Sequence, residues 1–534
     1  MRLVKTSEMQ EMDHLTIHEM GISGAVLMEN AARGAARIFL EHFDPAPGSC
    51  AVVICGRGNN GGDGYVMARY LNRAGLRVIV LVLAKLGGIS GDALTNLKVI
   101  RQMNLDIREV SGPGEWKKIC GCLADCDYII DGILGTGLNS SVRGYYGQVI
   151  EDVNSSGKPV MSIDIPSGLN ADTGQVMGVA IRADLTVTFG FPKLGQMLFP
   201  GADLVGRLAR IDIGIPDIVA DRIGGRYRMI EPDDFVDLLN EKRKDIHKGA
   251  RGHLLILAGS IGKTGAATLA ALGALRAGAG LVTLGIPKSL NNILEAKLTE
   301  AMTAPLPETG DGTLSFKAKE DIYRLMEGKS ALAIGPGLST NPETSALVRE
   351  IVAGCGLPMV IDADGLNALA GDRCVMKGLD NKKILTPHPG EMGRLMGLKS
   401  SEVQIDRVGT ASRFAEEYGC FLVLKGARTL IAEPNGNIYL NPTGNPALSS
   451  GGAGDVLTGL ISGFLARGWP LIGAANAGVY LHGLAADLLA EDMGEVGVLA
   501  GELPDLIPGL MDALARKEWP LESAPPYMDL YQPL

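Results

Sequence analysis

The chain has 534 residues, of which 46% are hydrophobic and 5% aromatic, and its formal net charge is −10. At about 100–200 residues per domain this length suggests two to four domains, and large α/β domains favour the low end. The negative charge argues against nucleic acid as the main partner, because binding phosphates requires a basic face. No apolar run reaches the ~18–20 residues that span a bilayer, and the acidic N-terminus does not resemble a signal peptide. We therefore expect a cytoplasmic protein without a membrane partner.

The first half alternates short aliphatic runs with helical patterns, which implies βαβ units and a parallel sheet. We predict a helix over residues 65–74 and strands over residues 51–55, 77–83, 128–130, 160–163 and 185–189. In parallel sheets, ligands bind beyond the carboxyl ends of the strands. The glycine loop 56–64, Asp131 and Asp164 all follow predicted strands. We therefore expect these three features to converge on one site.

The three clustered cysteines of this half, Cys120, Cys122 and Cys126, invite a metal interpretation. They lack the paired spacing and the fourth ligand of zinc sites. Reduced thiols are the favoured interpretation.

A charged stretch, residues 216–248, is predicted to connect the first domain to a second one. The alternation then restarts, with predicted helices over 265–277 and from Asp455 onward. We predict strands over residues 253–258, 281–286, 331–334, 359–361, 384–386 and 421–424, and a hairpin of 430–432 with 438–440 around a Glu-Pro-Asn-Gly turn. The resulting domain boundaries are 1–220, 226–516 and a Pro-rich tail over 517–534.

The loop Gly56-Arg-Gly-Asn-Asn-Gly61 fits the Gly-x-Gly-x-x-Gly pattern of dinucleotide-binding domains. A hydride-transfer site also needs an acidic residue at the end of the next strand, where this chain has Leu83-Ala-Lys85. Two interpretations remain. The glycines serve only tight packing, or the backbone N–H groups and polar side chains bind an anion or a cation.

Several motifs of the first half are similar to the NAD(P)H-hydrate epimerase domain, the YjeF N-terminal family. They are Asp13 and the segments 27–31, 58–64, 131–137 and 163–168, within a match that spans residues 1 to about 215. The resemblance implies a Rossmann-like three-layer α/β/α sandwich. It also implies a reaction that interconverts the R and S epimers of hydrated NADH or NADPH.

The same resemblance assigns roles to individual residues. It implies that the substrate is bound by Asn59, Asn60, Gly61, Gly62, Asp63, Gly135, Thr136, Gly137, Leu138, Asn139, Ser140, Ser141 and Asp164. It further implies a potassium ion held by Asn60, Asp131 and Ser167. Asp164 at a strand end, before the rigid turn at Pro166, is also a plausible general acid or base. The alternative role for Asp164 is that of a hydrogen-bonded turn residue.

The second half contains two glycine-rich candidates for phosphate binding. Ser260-Ile-Gly-Lys-Thr264 is not a P-loop, because Leu257 stands where that motif requires glycine. In Ser449-Ser-Gly-Gly-Ala-Gly-Asp455 the glycines let backbone N–H groups approach an anion where a helix begins. Asp455 is then placed to act as base for an acceptor hydroxyl in phosphoryl transfer. A helix N-cap is the alternative role for Asp455.

An ordered set of motifs makes this half similar to the ribokinase-like superfamily, and within it to ADP- or ATP-dependent NAD(P)H-hydrate dehydratases. The set covers about residues 226–516 and comprises His247-Lys-Gly249, Gly265-Ala-Ala267, Gly278-Ala-Gly-Leu-Val282, Gly335-Pro-Gly-Leu338, Ile361-Asp-Ala-Asp-Gly-Leu-Asn367, Thr386-Pro-His-Pro-Gly-Glu391, Lys425-Gly-Ala-Arg-Thr429, Asn441-Pro-Thr-Gly444 and the Gly452-Ala-Gly-Asp455 loop. The resemblance implies a ribokinase-like α/β/α domain that uses ADP or ATP with Mg2+.

Residue roles in the second half also follow from this resemblance. It implies that the adenine nucleotide is bound by Lys425, Gly426, Ala427, Arg428, Thr429 and Gly454. It implies that the hydrated nucleotide is bound by Ala267, Gly337, His388 and Asp455. The carboxylates of Glu391, Asp362 and Asp364 are candidates to lie beside the magnesium ion. The alternative is that these residues have structural roles. The sequence departs from the family pattern at Ala258 and Lys263, where a glycine and an aromatic residue are common.

Together the halves predict a fused epimerase and dehydratase, with catalytic residues Asp164 and Asp455. A poor hydroxyl leaving group would be phosphorylated, and elimination of phosphate would then restore NADH or NADPH. One alternative is a vitamin-pathway small-molecule kinase with a fused nucleotide-binding domain. Another is a first half that only senses nucleotides. We also expect a homo-oligomer, and the sequence leaves the choice between ADP and ATP open.

Overall fold

The computed structural model describes residues 1–240 and 248–523. These form two compact units, one spanning Arg2–Tyr227 and the other beginning at Arg228. The motif residue His247 and residues 524–534 of the predicted tail lie outside the described residues. Within the described ranges, no helix is both long and apolar enough to cross a membrane.

The first unit is built around a parallel sheet with strand order β4-β3-β2-β5-β6-β7-β8. Its strands are β1 (Arg2–Leu3), β2 (Cys50–Cys55), β3 (Arg77–Val82), β4 (Asp106–Glu109), β5 (Tyr128–Gly132), β6 (Val160–Ile163), β7 (Leu185–Phe189) and β8 (Arg207–Ile211). Its helices are α1 (Thr6–His18), α2 (Gly24–Phe43), α3 (Asn59–Arg73), α4 (Gly91–Gln102), α5 (Pro113–Ile119), α6 (Tyr145–Ser155), α7 (Leu194–Met197), α8 (Gly201–Leu204) and α9 (Asp217–Ile223).

Two hydrophobic cores cover the two faces of this sheet. Val53 of β2 belongs to the core formed with α2, α3 and α4, whereas Val52 belongs to the core formed with α5 and α6. This alternation confirms the predicted three-layer α/β/α sandwich. The strand order reverses between β2 and β5, so a crevice opens at the carboxyl ends of these two strands.

The structure differs from the sequence prediction in several elements of this unit, including α3, β4 and β8. Helix α3 begins at Asn59, six residues before the predicted start at 65, so the Asn-Asn-Gly-Gly-Asp-Gly segment forms the first turns of a helix. Strands β4 and β8 were not predicted. Both lie at sheet edges and carry charged residues in place of a continuous aliphatic run, because one side of an edge strand can face solvent.

The second unit contains a larger sheet in the order β18-β17-β16-β15-β14-β13-β10-β11-β12. Its strands are β9 (Tyr227–Met229), β10 (His253–Leu257), β11 (Leu281–Pro287), β12 (Met302–Leu306), β13 (Ala331–Ile334), β14 (Met359–Ile361), β15 (Lys383–Leu385), β16 (Phe421–Leu424), β17 (Leu430–Ala432) and β18 (Ile438–Leu440). Strands β10 to β16 pair in parallel, and β17 and β18 form the predicted antiparallel hairpin. Strand β12 was not predicted.

The helices of the second unit are α10 (Val236–Leu239), α11 (Thr264–Arg276), α12 (Asn291–Lys297), α13 (Lys319–Met326), α14 (Pro342–Gly354), α15 (Asp364–Leu369), α16 (Arg373–Lys377), α17 (Pro389–Met396), α18 (Ser400–Ile405), α19 (Arg407–Tyr418), α20 (Ala453–Ala466), α21 (Leu471–Met493) and α22 (Leu503–Ala515). Helix α20 packs against α11 and against strands β10, β13 and β14. The two helices approach closely at Gly459, where an added Cβ would lie 2.2 Å from the Ala270 carbonyl oxygen. The two-domain α/β fold is therefore confirmed, and α20 begins beside the central strands of its sheet.

Candidate active sites

A cavity of about 570 Å3 lies at the carboxyl ends of β2 and β5 in the first unit. The predicted substrate residues that line it are Asn59, Asn60, Asp63, Gly135, Thr136, Gly137 and Asp164. Gly61 and Gly62 are instead buried inside α3. Residues 138–141 continue the loop after Gly137 and are not among the lining residues. The structure thus brings together the polar residues of three separate predicted motifs.

The glycines at the start of α3 have a packing role of their own. A Cβ added to Gly61 would lie 2.1 Å from the Gly56 carbonyl oxygen, and one added to Gly62 would lie 2.8 Å from Met28 Cε. These contacts leave no room for a side chain. They also let the first turn of α3, with Asn59 and Asn60, reach the cavity wall. The packing and anion-binding interpretations of this loop are therefore compatible.

Asp164 is held in an unusual backbone conformation by an ion pair that the sequence did not predict. Its φ is +63°, and its Oδ1 forms a salt bridge with Nζ of Lys193, whose side chain is 1% exposed. The same Oδ1 accepts hydrogen bonds from Thr188 Oγ1 at 3.2 Å and Phe189 N at 3.1 Å. The Asp164 carboxyl group is thus positioned at the cavity wall by three donors to one of its oxygens. Lys193 follows a strand end in an otherwise apolar segment, and this position was the one feature of the sequence that could have marked it as a site residue.

Two further carboxyl groups, Asp13 and Asp63, line the same cavity. Burial raises the pKa of Asp13 to about 6, with Lys193 opposing and Asp164 adding to the rise. Burial, together with repulsion from Asp164 and Asp13, holds the pKa of Asp63 well above its usual range. Asp92 and Arg57 also line the cavity, so four carboxyl groups face two cationic side chains, and the cavity favours a cationic reacting group and at least one protonated carboxyl.

The residues of the predicted potassium site, Asn60, Asp131 and Ser167, meet at the backbone of Leu134. Asn60 Nδ2 donates to the Leu134 carbonyl oxygen at 3.1 Å, and Ser167 Oγ accepts from Leu134 N at 2.8 Å. The buried Asp131 carboxylate accepts four hydrogen bonds, from Ser162 Oγ, Ile133 N, and both N and Oγ of Ser167. Burial raises the pKa of Asp131, and the hydrogen bonds from Ser167 oppose this rise. A buried carboxylate with oxygen-bearing neighbours suits a monovalent cation.

In the second unit, Asp455 lies in the first turn of α20, beside a buried ion pair. Lys425 Nζ lies 2.7 Å from Asp362 Oδ1, and Asp362 Oδ2 accepts a hydrogen bond from Thr458 Oγ1 at 2.7 Å. Burial lowers the pKa of Lys425, but Asp362 and Glu391 outweigh it and leave that pKa above its usual value. Burial, and then repulsion from Asp362, raises the pKa of Asp455 to about 6. Asp455 is thus a carboxyl group that changes protonation state near neutral pH.

Each of the three carboxylates that were predicted to lie beside magnesium already has a partner within the protein. Asp362 is paired with Lys425, and Asp364 accepts hydrogen bonds from Lys263 Nζ at 2.9 Å and Ser339 N at 2.8 Å. Glu391 Oε2 accepts the backbone N–H of His388 at 2.8 Å and lies 3.8 Å from Lys425 Nζ. Across the described ranges, no group of three His, Cys, Asp or Glu side chains forms a ready metal site.

Arg407 holds the predicted nucleotide-binding loop, residues 425–429, through hydrogen bonds. This residue was not predicted from the sequence. Its guanidinium donates to the carbonyl oxygens of Ala427 and Leu424, and burial lowers its pKa to about 10. Thr429 Oγ1 donates to the Gly426 carbonyl oxygen at 3.1 Å. A Cβ added to Gly454 would lie 3.3 Å from Lys425 Nζ. The loop therefore meets the start of α20 at Gly454.

The residues of this unit that were predicted to bind the substrate differ in how far they are exposed to solvent. The His388 side chain is 51% exposed, and its Nδ1 accepts a hydrogen bond from Gly390 N at 3.0 Å, which fixes the ring. Ala267 is fully buried in α11. A Cβ added to Gly337 would lie 3.0 Å from Lys263 Cβ, which places Lys263 directly beside this glycine.

A buried histidine that contacts the start of α20 was also not predicted from the sequence. His482 of α21 hydrogen-bonds the backbone of Ala453, and burial lowers its pKa to about 4. The ring is therefore neutral at physiological pH. It supports the first residue of α20, and no local sequence pattern marks it.

Comparison with known proteins covers both units. One family model, NAD(P)H-hydrate dehydratase, matches residues 254–509, and another, YjeF-related protein N-terminus, matches residues 24–195. The bifunctional NAD(P)H-hydrate repair enzyme Nnr of Moorella thermoacetica is 43% identical, over 97% of this chain and 98% of that protein. The enzyme of the same name from Thermofilum pendens is 38% identical, over 96% and 97%.

A solved structure of an ADP/ATP-dependent NAD(P)H-hydrate dehydratase from Bacillus subtilis, co-crystallized with ATP/Mg2+, is 34% identical, over 54% of this chain and 98% of that chain, with a TM-score of 0.47. The two curated relatives are matched along nearly their whole length. The chain therefore belongs to the family of bifunctional NAD(P)H-hydrate repair enzymes.

Proposed function

We propose that this chain repairs hydrated NADH and NADPH with two separate active sites. The first unit interconverts the R and S epimers of the hydrate. The second unit dehydrates the S epimer with ADP or ATP and releases phosphate with AMP or ADP. The observation that carries the proposal is the pair of buried lysine–aspartate sites, each with a further carboxyl group whose pKa is raised to about 6.

The dehydratase step begins at the hydroxyl that hydration leaves on the nicotinamide ring, which is a poor leaving group. Asp455 accepts the hydroxyl proton as the oxygen attacks the terminal phosphoryl group of the nucleotide. The P–O bond to AMP or ADP breaks as the new P–O bond forms. The C–O bond of the phosphorylated hydroxyl then breaks, phosphate departs with its electrons, and the neighbouring ring carbon loses a proton to the departing phosphate, which restores the double bond. The backbone N–H groups at the start of α20 face the phosphoryl group and stabilise its charge.

Magnesium fits the acidic surroundings of Asp455. Mg2+ is held in proteins by one or two carboxylates together with substrate phosphates, and Asp362 and Glu391 would supply the carboxylates on the Lys425 side. The ion would neutralise the nucleotide phosphates. The ion pairs of these carboxylates with Lys425 orient them before the nucleotide binds.

The epimerase step uses the same hydroxyl in another way. Hydration of an enamine places the hydroxyl on the carbon next to nitrogen, so its loss as water leaves a cation that the nitrogen lone pair stabilises. Return of water to the opposite face gives the other epimer. Asp164, which lines the cavity and is paired with Lys193, stabilises this cation and orients the ring.

Potassium is proposed at Asn60, Asp131 and Ser167, supported by the buried Asp131 carboxylate. The ion would balance that charge and fix the loop at Leu134, below the substrate. Exchange of K+ for Li+ in the assay buffer is expected to slow epimerisation several-fold and to leave dehydration unchanged. Equal epimerisation rates in the two salts would contradict this assignment.

The test of the proposed function is an assay on hydrated NADH. The protein is incubated with ADP, with ATP or with neither nucleotide, and recovery of NADH absorbance is followed while the R and S hydrates are separated by chromatography. We expect epimerisation without nucleotide and recovery only with one. If neither nucleotide restores absorbance to a folded protein, the dehydratase assignment is wrong. If Asp164→Ala epimerises at the wild-type rate, the first unit has only a binding role.

The homo-oligomeric state and the cytoplasmic location stay predictions from the sequence. Light scattering on the purified chain tests the first of these. Fractionation of cells that express the full chain tests the second.

A further inference from the structure

The epimerase site as described lacks a proton donor. Departure of a hydroxyl as water requires a proton at the oxygen, because hydroxide is a poor leaving group. Asp164 is not suited to supply that proton, since its Oδ1 already accepts from Lys193 Nζ and from two further donors. Another group facing the cavity must therefore carry the proton.

Asp13 has the geometry of such a group. It lies on α1, whose buried face consists of Met9, Met12, Leu15 and Thr16, and its side chain lines the cavity. Its Oδ1 is buried and has no hydrogen-bond partner among the described residues. A buried, unpartnered carboxyl oxygen is costly unless it is protonated or bonded to a ligand. The carboxyl group of Asp13 is therefore left free for the substrate.

We infer that Asp13 is the general acid of the epimerase, which protonates the departing hydroxyl while Asp164 stabilises the resulting cation. This inference rests on the proposed epimerase function of the first unit. In the forward step the O–H bond to the hydroxyl forms, the C–O bond breaks, water leaves, and the ring nitrogen shares its lone pair with the carbon. When water adds to the other face, its proton returns to the Asp13 carboxylate. No external oxidant or co-reactant is needed.

The charged groups that face Asp13 explain why it carries a proton. They are Asp63 on α3, Asp164 after β6 and Lys193 before α7. Asp92 and Arg57 also line the cavity, so two cationic side chains face four carboxyl groups, and Lys193 is already paired with Asp164. Repulsion among the remaining carboxyl groups therefore keeps protons in the cavity.

Asp63 is the competing candidate for the acid. It is more deeply buried than Asp13, and its pKa lies well above the usual range. A group that holds its proton so firmly donates a hydrogen bond but transfers the proton poorly. General acids work best when their pKa lies near the working pH, and the pKa of Asp13, about 6, meets that condition.

The test compares Asp13→Asn with Glu11→Gln, an isosteric change at an exposed acid on the same helix. We expect Asp13→Asn to lower the kcat of epimerisation on the order of 100-fold, with KM within about threefold. Glu11→Gln should match the wild type. The wild-type rate should fall above about pH 6 as Asp13 loses its proton, and Asp13→Asn should lack this decline.

Failure of this inference is distinguishable from failure of the proposed function. If the wild type and Glu11→Gln epimerise and Asp13→Asn keeps its kcat within threefold, Asp13 is not the acid. If the wild type does not exceed the uncatalysed rate, the proposed function itself fails. The dehydratase rate of the same chain reports whether Asp13→Asn is folded. If that variant does not fold, the wild-type pH profile decides, because a rate unchanged between pH 5 and 8 would overturn the inference.

Discussion

The two active sites use similar parts in opposite ways. Each lies at the carboxyl ends of strands in a parallel sheet, and each contains a lysine paired with an aspartate, Lys193 with Asp164 and Lys425 with Asp362. Each also has a carboxyl group whose pKa is about 6, Asp13 or Asp455. In the first unit the paired aspartate faces the cavity, and in the second it is 1% exposed and bonded to Thr458. In the proposed mechanism, the same pKa serves a proton donor in one site and a proton acceptor in the other.

The largest expected effect is that of Asp455→Asn. The amide keeps the shape of the carboxylate but cannot accept a proton, so dehydration should fall by at least about 1000-fold. Epimerisation should stay within twofold of the wild type. Asp512→Asn, at an exposed position on α22, is the matched control and should retain both activities. Parallel loss of both activities in Asp455→Asn would show that the sites do not work independently.

Removal of the lysine in the first site tests whether Asp164 depends on its ion pair. Lys193→Met leaves a buried carboxylate without its partner, which costs about 3–5 kcal/mol in comparable pairs. We expect the Asp164 carboxyl group to lose its fixed position and the kcat of epimerisation to fall on the order of 100-fold, while dehydration is preserved. Lys98→Met, an exposed lysine on α4, is the control. An unchanged epimerase rate would mean that Asp164 works without its ion pair to Lys193.

The buried histidine of the second unit predicts a pH-dependent stability. Burial lowers the pKa of His482 to about 4, so between about pH 6.5 and 4 the unfolded state binds a proton that the folded state does not. The free energy of unfolding should therefore decrease as pH falls through this range, by about 3 kcal/mol in total. Denaturant unfolding of the wild type and His482→Gln across this range measures it. A constant difference between the two proteins would contradict the assignment.

These sites also show what a sequence can predict. Asp131, Asp164 and the Asn59–Asn60 pair were predicted because they follow aliphatic strands, and strand ends converge in a parallel sheet. Lys193 and Lys425 both follow strand ends, but they acquire their roles from partners 29 and 63 residues away, which that position alone does not identify. Lys425 was nevertheless found through its motif, whereas Lys193 follows the last recognised motif of its domain.

The elements that the sequence missed have a related physical cause. Edge strands such as β4 and β8 lack a continuous apolar run because they are only partly covered. Asp13 was part of a recognised motif, but its role depends on which face of α1 packs against the sheet. His482 likewise lies in a helix that is apolar on nearly all sides, so its contact with Ala453 follows only from packing.

The smallest effect, and the one that compares the sites most directly, is the pH dependence of the wild-type enzyme. A donor must be protonated and an acceptor must be ionised, so a pKa of about 6 has opposite consequences in the two units. From pH 5 to 6 the dehydratase rate should rise up to about tenfold while the epimerase rate changes little. From pH 6 to 7 the epimerase rate should fall by up to the same factor while the dehydratase rate levels off. Both rates are measured on one sample under saturating substrate, and circular dichroism at each pH reports whether the chain stays folded, because the second unit loses stability at acidic pH. Profiles that move in the same direction would show that Asp13 and Asp455 do not act as acid and base respectively.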